Sequence, residues 1–420
     1  MAEKFTGGLR AYIVGLLTFI WAANFLDRQI FAILLQSIKT EMALSDTQLG
    51  LLSGLAFSIF YSTFGLPLAY IADRFSRKKL IIVSLSLFSA MTYVCGVAQN
   101  YWHLLLARMG VGVGEAGTNP ASVAMISDMY PADARATPMA VFALGANVGI
   151  FAAFFFGGWL AQHYGWRATF QIVALPGLML AILAAFTLRD PQRGLSDGKA
   201  ADPAPPLSTV LKYMLAARAM RHIIIALALV FAVGNGAIAW VPAYLIRVHE
   251  MTTSQIGMAL ALIVGVGGAV ATALCGYWAD RLGRRDVRWN LWLLALIAGG
   301  ATPFLILAFT ANSTNWAIVF LIPSISMSLV YLAPALAMIH AMVRPEMRAV
   351  ATALMMFVCN LLGLGMGPLL VGLMSDYFTT QYGAFGLAIA LIILSLLSLW
   401  GAMHFFMAGK YVSEDIRRVV

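Results

Sequence analysis

Apolar stretches of about twenty residues or more, separated by short polar breaks, recur along the whole chain. They fall at roughly 11–38, 47–72, 80–98, 102–127, 138–161, 168–188, 222–247, 255–279, 290–311, 316–341, 349–374 and 384–408. A helix needs about 20 apolar residues to cross the hydrocarbon core of a bilayer, so the pattern predicts twelve membrane-spanning helices. No run alternates with a period of two, as the strands of a membrane barrel would. Pro67, Pro120, Pro242, Pro334 and Pro368 fall inside spans, where packed membrane helices tolerate them. The longest polar break, residues 189–220, is rich in Pro, Asp, Ser and Ala and lies near the centre of the chain. The predicted architecture is an all-α membrane protein of two six-helix bundles, residues 1–188 and 221–420, joined by a central loop.

Composition agrees. Of 420 residues, 61% are hydrophobic and 11% charged, and mean hydropathy is +0.85. That is too little charge to cover a water-soluble fold of this size, which argues against a soluble enzyme or a nucleic-acid binder. The net charge of +9 has another origin. With the termini and the 2–3, 4–5, 6–7, 8–9 and 10–11 loops on one face, that face holds 22 of the 27 basic residues. The other face holds Lys39, Arg167 and Arg247, and Arg28 and Arg108 lie inside spans. Such a bias predicts that the basic face, with both termini, is cytoplasmic. The first apolar run is too long for a cleaved signal peptide. Cys95, Cys275 and Cys359 sit apart in apolar runs, and no CxxC occurs, so neither a disulfide framework nor a metal site is expected. No HExxH or GxSxG is present and the six histidines are scattered; neither an enzyme nor a cofactor is expected.

The two halves repeat one another. Between spans 2 and 3 the chain reads Ala69-Tyr-Ile-Ala-Asp73-Arg74-Phe75-Ser76-Arg77-Lys78. Between spans 8 and 9 it reads Gly276-Tyr277-Trp278-Ala279-Asp280-Arg281-Leu282-Gly283-Arg284-Arg285. Internal repeats of this kind build many secondary transporters. The two copies resemble the loop signature of the major facilitator superfamily, the first departing from it at Ala69 and Ser76, where glycine is usual. An Asp at a cytoplasmic helix end can accept hydrogen bonds and latch a gate. Asp73, Arg74, Arg77, Asp280, Arg281 and Arg284 are therefore candidate gating residues; the alternative is that the basic ones are only topology anchors.

Ionisable groups inside a span are costly and are by default functional candidates. Four qualify, all in the first half: Asp27 and Arg28 in span 1, Arg108 and Glu115 in span 4. Helical rise and topology place Asp27 near Arg108, as a salt bridge, and leave Glu115 nearer the midplane and less compensated. A carboxyl in that position is a proton carrier. The alternative is a purely structural network joining spans 1 and 4. Gly112-Val-Gly114-Glu115-Ala-Gly117 matches the dinucleotide fingerprint, but no strand precedes it, so NAD is rejected. Gly110-x-x-x-Gly114, Gly145-x-x-x-Gly149 and Gly363-x-x-x-Gly367-Pro368 are read as close-packing motifs.

Asn24-Phe25-Leu26-Asp27-Arg28, the Arg108 to Glu115 pair and Gly50-Leu51-Leu52 resemble the spinster family, here as a compact bacterial member. The resemblance implies a lipid-handling facilitator of the inner membrane with coupling roles for Asp27, Arg28, Arg108 and Glu115. An Asp-Arg in span 1 also occurs in organic-anion and hexuronate facilitators, and an amphipathic drug would suit the same cavity. A membrane sensor that binds without transporting is the reading from another class. One charged wall and one apolar wall predict an amphipathic substrate with an anionic or zwitterionic head, moved with protons by a monomer. Asn24, Asn119, Asn235, Trp240, Tyr331, Met356 and Asn360 are the expected substrate contacts.

Overall fold

The protein's computed structural model describes residues 6–131, 133–192 and 205–417. Among them there is no strand. The first half comprises α1 (Gly7–Met42), α2 (Asp46–Gly50), α3 (Ala56–Arg74), α4 (Arg77–Val97), α5 (Tyr101–Glu115), α6 (Thr118–Met129) and α7 (Ala136–Thr187). A short α8 (Leu207–Ala216) precedes α9 (Arg218–His249), α10 (Thr253–Leu260), α11 (Gly268–Gly283) and α12 (Trp289–Thr310). Then come α13 (Thr314–Met327), α14 (Leu332–Ala341), α15 (Arg348–Val358), α16 (Gly367–Tyr382) and α17 (Gly386–Arg417).

Nine helical stretches among the described residues are long and apolar enough to cross a membrane. Two of them, Ala136–Thr187 with 52 residues and Pro345–Arg417 with 73, are each too long for one crossing. The first breaks at Gly165, whose φ of 78° lies in the left-handed region that glycine adopts without a Cβ penalty. The second breaks at Tyr382–Gly386. With α5 and α6 as a further pair, the layout accommodates twelve crossings.

Contacts divide the chain into two compact units. The first is Met1–Leu44, Ala56–Ala201 and Thr252–Ala261; the second is Ser45–Leu55, Asp202–Met251 and Leu262–Val420. In the first unit α1 packs on α7, and α5 lies against α3 and α4. A Cβ at Gly114 would sit 2.5 Å from the Phe88 backbone nitrogen, so only glycine lets α5 approach α4 this closely. Gly145 and Gly149 bring α7 equally close to the α1 backbone. The second unit centres on α9, α12 and α17, with Ile223, Leu227, Leu291 and Phe405 in its core. There Gly363 and Gly367 meet Phe231 and Ala232 of α9.

Three spans contain π-helical turns, at Leu51–Leu55, Ala261–Gly267 and Cys359–Met366. Two of these follow capping boxes: Ser45 with Gln48 at α2, and Thr252 with Gln255 at α10. In each box the hydroxyl accepts from the glutamine backbone N–H, and the glutamine side chain accepts in return. The two boxes are offset by 207 residues, the same offset that separates Asp73 from Asp280.

The central polar break is shorter than the sequence suggests. Residues 193–204, including Ser196, lie outside the described residues. Beyond them α8 buries Val210 and Met214 in the core of the second unit. Two apolar residues one turn apart suffice to dock a helix that composition alone reads as loop.

Candidate functional site

The four charges inside spans 1 and 4 converge within the first unit. Asp27, Arg108 and Glu115 are at most 3% exposed. Helix α1 presents Asp27 and Arg28, and α5 presents Arg108 and, at its last residue, Glu115. Their pairing differs from expectation. Glu115 is not the uncompensated carboxylate: its Oε2 accepts from Arg28 Nη2 at 2.6 Å and from Arg28 Nε at 3.2 Å. Asp27 Oδ1 instead accepts from the Thr92 hydroxyl on α4, which also donates to the Phe88 carbonyl. Arg108 acts on Asp27 through its charge, and its guanidinium lies 4.9 Å from the Phe31 ring centre and 5.3 Å from that of Phe57.

The two carboxyls lie against one another. Asp27 Oδ2 and Glu115 Oε1 are both buried with no donor reaching them. An added proton would turn either carboxyl into a donor. Arg28 is the most accessible member, its side chain 13% exposed. Its guanidinium sits among three rings, 5.2 Å from Phe25, 4.9 Å from Phe57 and 4.7 Å from Tyr61. The faces of these rings favour a cation and hold it in place. The arrangement is a fixed cation beside two buried carboxyls, each with one oxygen that no donor reaches.

The expected substrate contacts divide. Asn24 is buried and lies beside the cluster on α1, accepting from the Thr118 hydroxyl at 2.8 Å and donating to the Ile20 carbonyl. Asn119, Asn235, Met356 and Asn360 are half-buried. Trp240 and Tyr331 are buried in the second unit. Trp240 is fully buried, with Nε1 donating to the Pro368 carbonyl at 2.9 Å. Tyr331 belongs to the core of the second unit, stacked on Phe405. Both are large amphipathic side chains packed in the interior of the second unit.

Of the six expected gating residues, Asp73, Arg74, Asp280, Arg281 and Arg284 are exposed. Arg74 lies over the Tyr70 ring at 4.2 Å, and Arg281 donates to the Tyr277 hydroxyl at 3.1 Å. Arg77 alone turns inward. It pairs with Asp128 of α6 and donates to the carbonyls of Ala72 and Ala124. Asp128 was not singled out because it sits in a polar break at the end of a span, where an acid is unremarkable by pattern.

A second buried charge cluster, in the second unit, also escaped the sequence reading. Asp46 is fully buried, and both its oxygens accept from Arg247, at 2.7 and 2.8 Å. The Ser375 hydroxyl donates to the same carboxylate at 2.6 Å. Asp376 accepts from the backbone N–H groups of Asp46 and Thr47 at the start of α2, both at 2.8 Å. Both acids lie in short polar breaks by pattern; the acid following Ser45 in a Ser-x-x-Gln box was the only available signal. The described residues hold no cluster of three metal-ligating side chains.

Comparison with known proteins completes the picture. A family model described as Major Facilitator Superfamily matches residues 17–286 and 251–404. An MFS-type efflux pump of Mycolicibacterium smegmatis is 32% identical, over 96% of this chain and 93% of its own. The sphingosine-1-phosphate transporter SPNS2 of Danio rerio is 26% identical, over 96% of this chain and 84% of its own. The crystal structure of a bacterial homologue of the human lysosomal transporter spinster, inward-facing and unoccupied, matches with a TM-score of 0.89. It is 28% identical, and the match covers 98% of this chain and 99% of that one. Matched along nearly its whole length, with two repeated loop motifs and membrane-length helices throughout, the chain belongs to the major facilitator superfamily and is a spinster-like transporter rather than an enzyme.

Proposed function

We propose that the protein is a proton-coupled secondary transporter of an amphipathic substrate with an anionic or zwitterionic head, working by alternating access in a bacterial inner membrane with both termini cytoplasmic. The observation that carries this reading is the Arg28–Glu115 ion pair beside a second buried carboxyl, Asp27. An anionic head group arriving at Arg28 competes with Glu115 for the same guanidinium. Glu115, once released, is a buried carboxylate without its cation, which is costly. Taking up a proton and sharing it with Asp27 relieves that cost. Substrate and proton binding then favour one another, and by linkage the coupling is reciprocal. The candidate gating residues Asp73, Arg74, Arg77, Asp280, Arg281 and Arg284 are assigned to closure of the cytoplasmic end.

The test uses purified protein in liposomes with an imposed pH gradient and a labelled lysophospholipid. The expected result is gradient-driven accumulation, tighter substrate binding at lower pH, and competition by other lysophospholipids but not by hexuronates or sugars. Glu115→Gln should reduce accumulation to background while sparing exchange of substrate for substrate. Normal accumulation in Glu115→Gln overturns the proton role; displacement by a hexuronate alone moves the substrate to the organic-anion class. Similarity to an efflux pump supports a second reading, antiport of a cationic amphiphile drawn to the carboxyl pair. It predicts the opposite sign, binding that weakens as pH falls.

A further inference from the structure

Helices α12 and α17 of the second unit enclose a groove of about 400 Å³ lined by Trp289, Trp292, Leu296, Met403 and Phe406. Its walls are almost wholly apolar, and Leu296 and Met403 are 64% and 53% exposed on them. Trp292 stacks on Phe406, with ring centres 6.0 Å apart, and donates its indole N–H to the Phe406 carbonyl at 3.3 Å. Trp289 meets Trp292 edge-on at 5.7 Å. The indole of Trp292 rests where a Cβ at Gly409 would collide, so the groove's floor is fixed by packing. The Trp292 indole N–H is already engaged, and apart from the Trp289 indole N–H the lining side chains are hydrocarbon or thioether.

One end of the groove is basic. The Lys410 ammonium lies 4.9 Å from the Phe406 ring centre. Arg288 immediately precedes Trp289, and Arg284 and Arg285 lie in the same loop. The acids nearby are Asp286, whose Oδ1 accepts from the Arg288 backbone N–H, and Glu414, one turn beyond Lys410. Paired tryptophans beside cations mark the level of the membrane interface, and basic sites between helices at that level hold anionic head groups.

We infer that this groove is a binding site for an anionic phospholipid, its acyl chain along Trp292 and Leu296 and its phosphate at Lys410 and Arg288. The cytoplasmic leaflet is assigned on the proposed topology. The site itself does not depend on that topology, on transport or on the proton relay, so its test is separate from theirs.

The test is tryptophan quenching by brominated lipids. The full-length protein is placed in phosphatidylcholine nanodiscs carrying an equal minor fraction of dibrominated phosphatidylglycerol or dibrominated phosphatidylcholine. Subtracting the signal of the Trp289→Phe/Trp292→Phe variant isolates the groove from the other tryptophans among the ten in the chain. The expected result is stronger quenching of the groove by the anionic lipid. Lys410→Gln and Arg288→Gln should each lower that preference, by up to about fivefold per residue. Equal quenching by the two lipids, no quenching by either, or an undiminished preference in the Lys410→Gln/Arg288→Gln double variant overturns the assignment. Circular dichroism of each variant checks that the helices are intact.

Discussion

Asp27, Arg28, Arg108 and Glu115 stand out because an ionisable group in an apolar run is expensive wherever the helix points. Which of them meet depends on helix rotation and depth, and a shift of one residue along α1 exchanges the roles of Asp27 and Arg28. That is why Glu115, expected to lack a fixed cation, is held by Arg28. Asp46 and Arg247 were invisible for the opposite reason, since charges flanking spans are ordinary by pattern and only the fold buries them. Their burial makes them a sensitive test of packing. Asp46→Asn leaves Arg247 without its counter-charge and should lower stability by about 3–5 kcal/mol. The Asp46→Leu/Arg247→Met double variant removes both charges and should recover most of that loss. Denaturant unfolding in mixed micelles measures both; a double variant as unstable as the single one would mean that the stranded Arg247 charge is not the source of the loss.

At the scale of elements, hydrophobic runs located the spans but missed their internal irregularities. A π-helical turn inserts one residue into a 3.6-residue repeat, and an apolar run of uniform composition carries no mark of it. The turns at Leu51–Leu55 and Cys359–Met366 lie in the second unit, where a Cβ at Gly54 would strike the Gly365 backbone carbonyl. Backbone contact at that distance admits only glycine, so Gly54→Leu should force the two turns apart. A loss of about 1–3 kcal/mol in stability is expected from such overpacking. Transport should fall in step with the stability. Gly65→Leu, on the same span, has open space around its Cα and should change neither. Equal effects at Gly54 and Gly65 would remove close packing as the reason for the glycine. The capping boxes were within reach of the sequence, because Ser45-x-x-Gln48 and Thr252-x-x-Gln255 share both spacing and offset with the Asp-Arg loops.

For the whole molecule the decisive quantity is the distribution of charge. Charge bias orients membrane helices because moving Lys and Arg across the bilayer during insertion is costly, while Asp and Glu contribute little. The 22 basic residues on one predicted face are distributed over seven segments, so no single loop decides the orientation. Removing the cations of one loop should therefore leave it unchanged. Cys95, Cys275 and Cys359 are all buried, which gives a quiet background for cysteine labelling. Lys212 on α8 and Asn312 in the break after α12 are both exposed and are predicted to face opposite sides. In intact cells a membrane-impermeant maleimide should label Asn312→Cys and leave Lys212→Cys unreacted. Permeabilising the inner membrane should make Lys212→Cys reactive without changing Asn312→Cys. Labelling of both sites in intact cells would break the odd number of crossings, three, predicted between them. Labelling of Lys212→Cys alone would invert the topology, placing the basic loops outside and the lipid groove in the opposite leaflet.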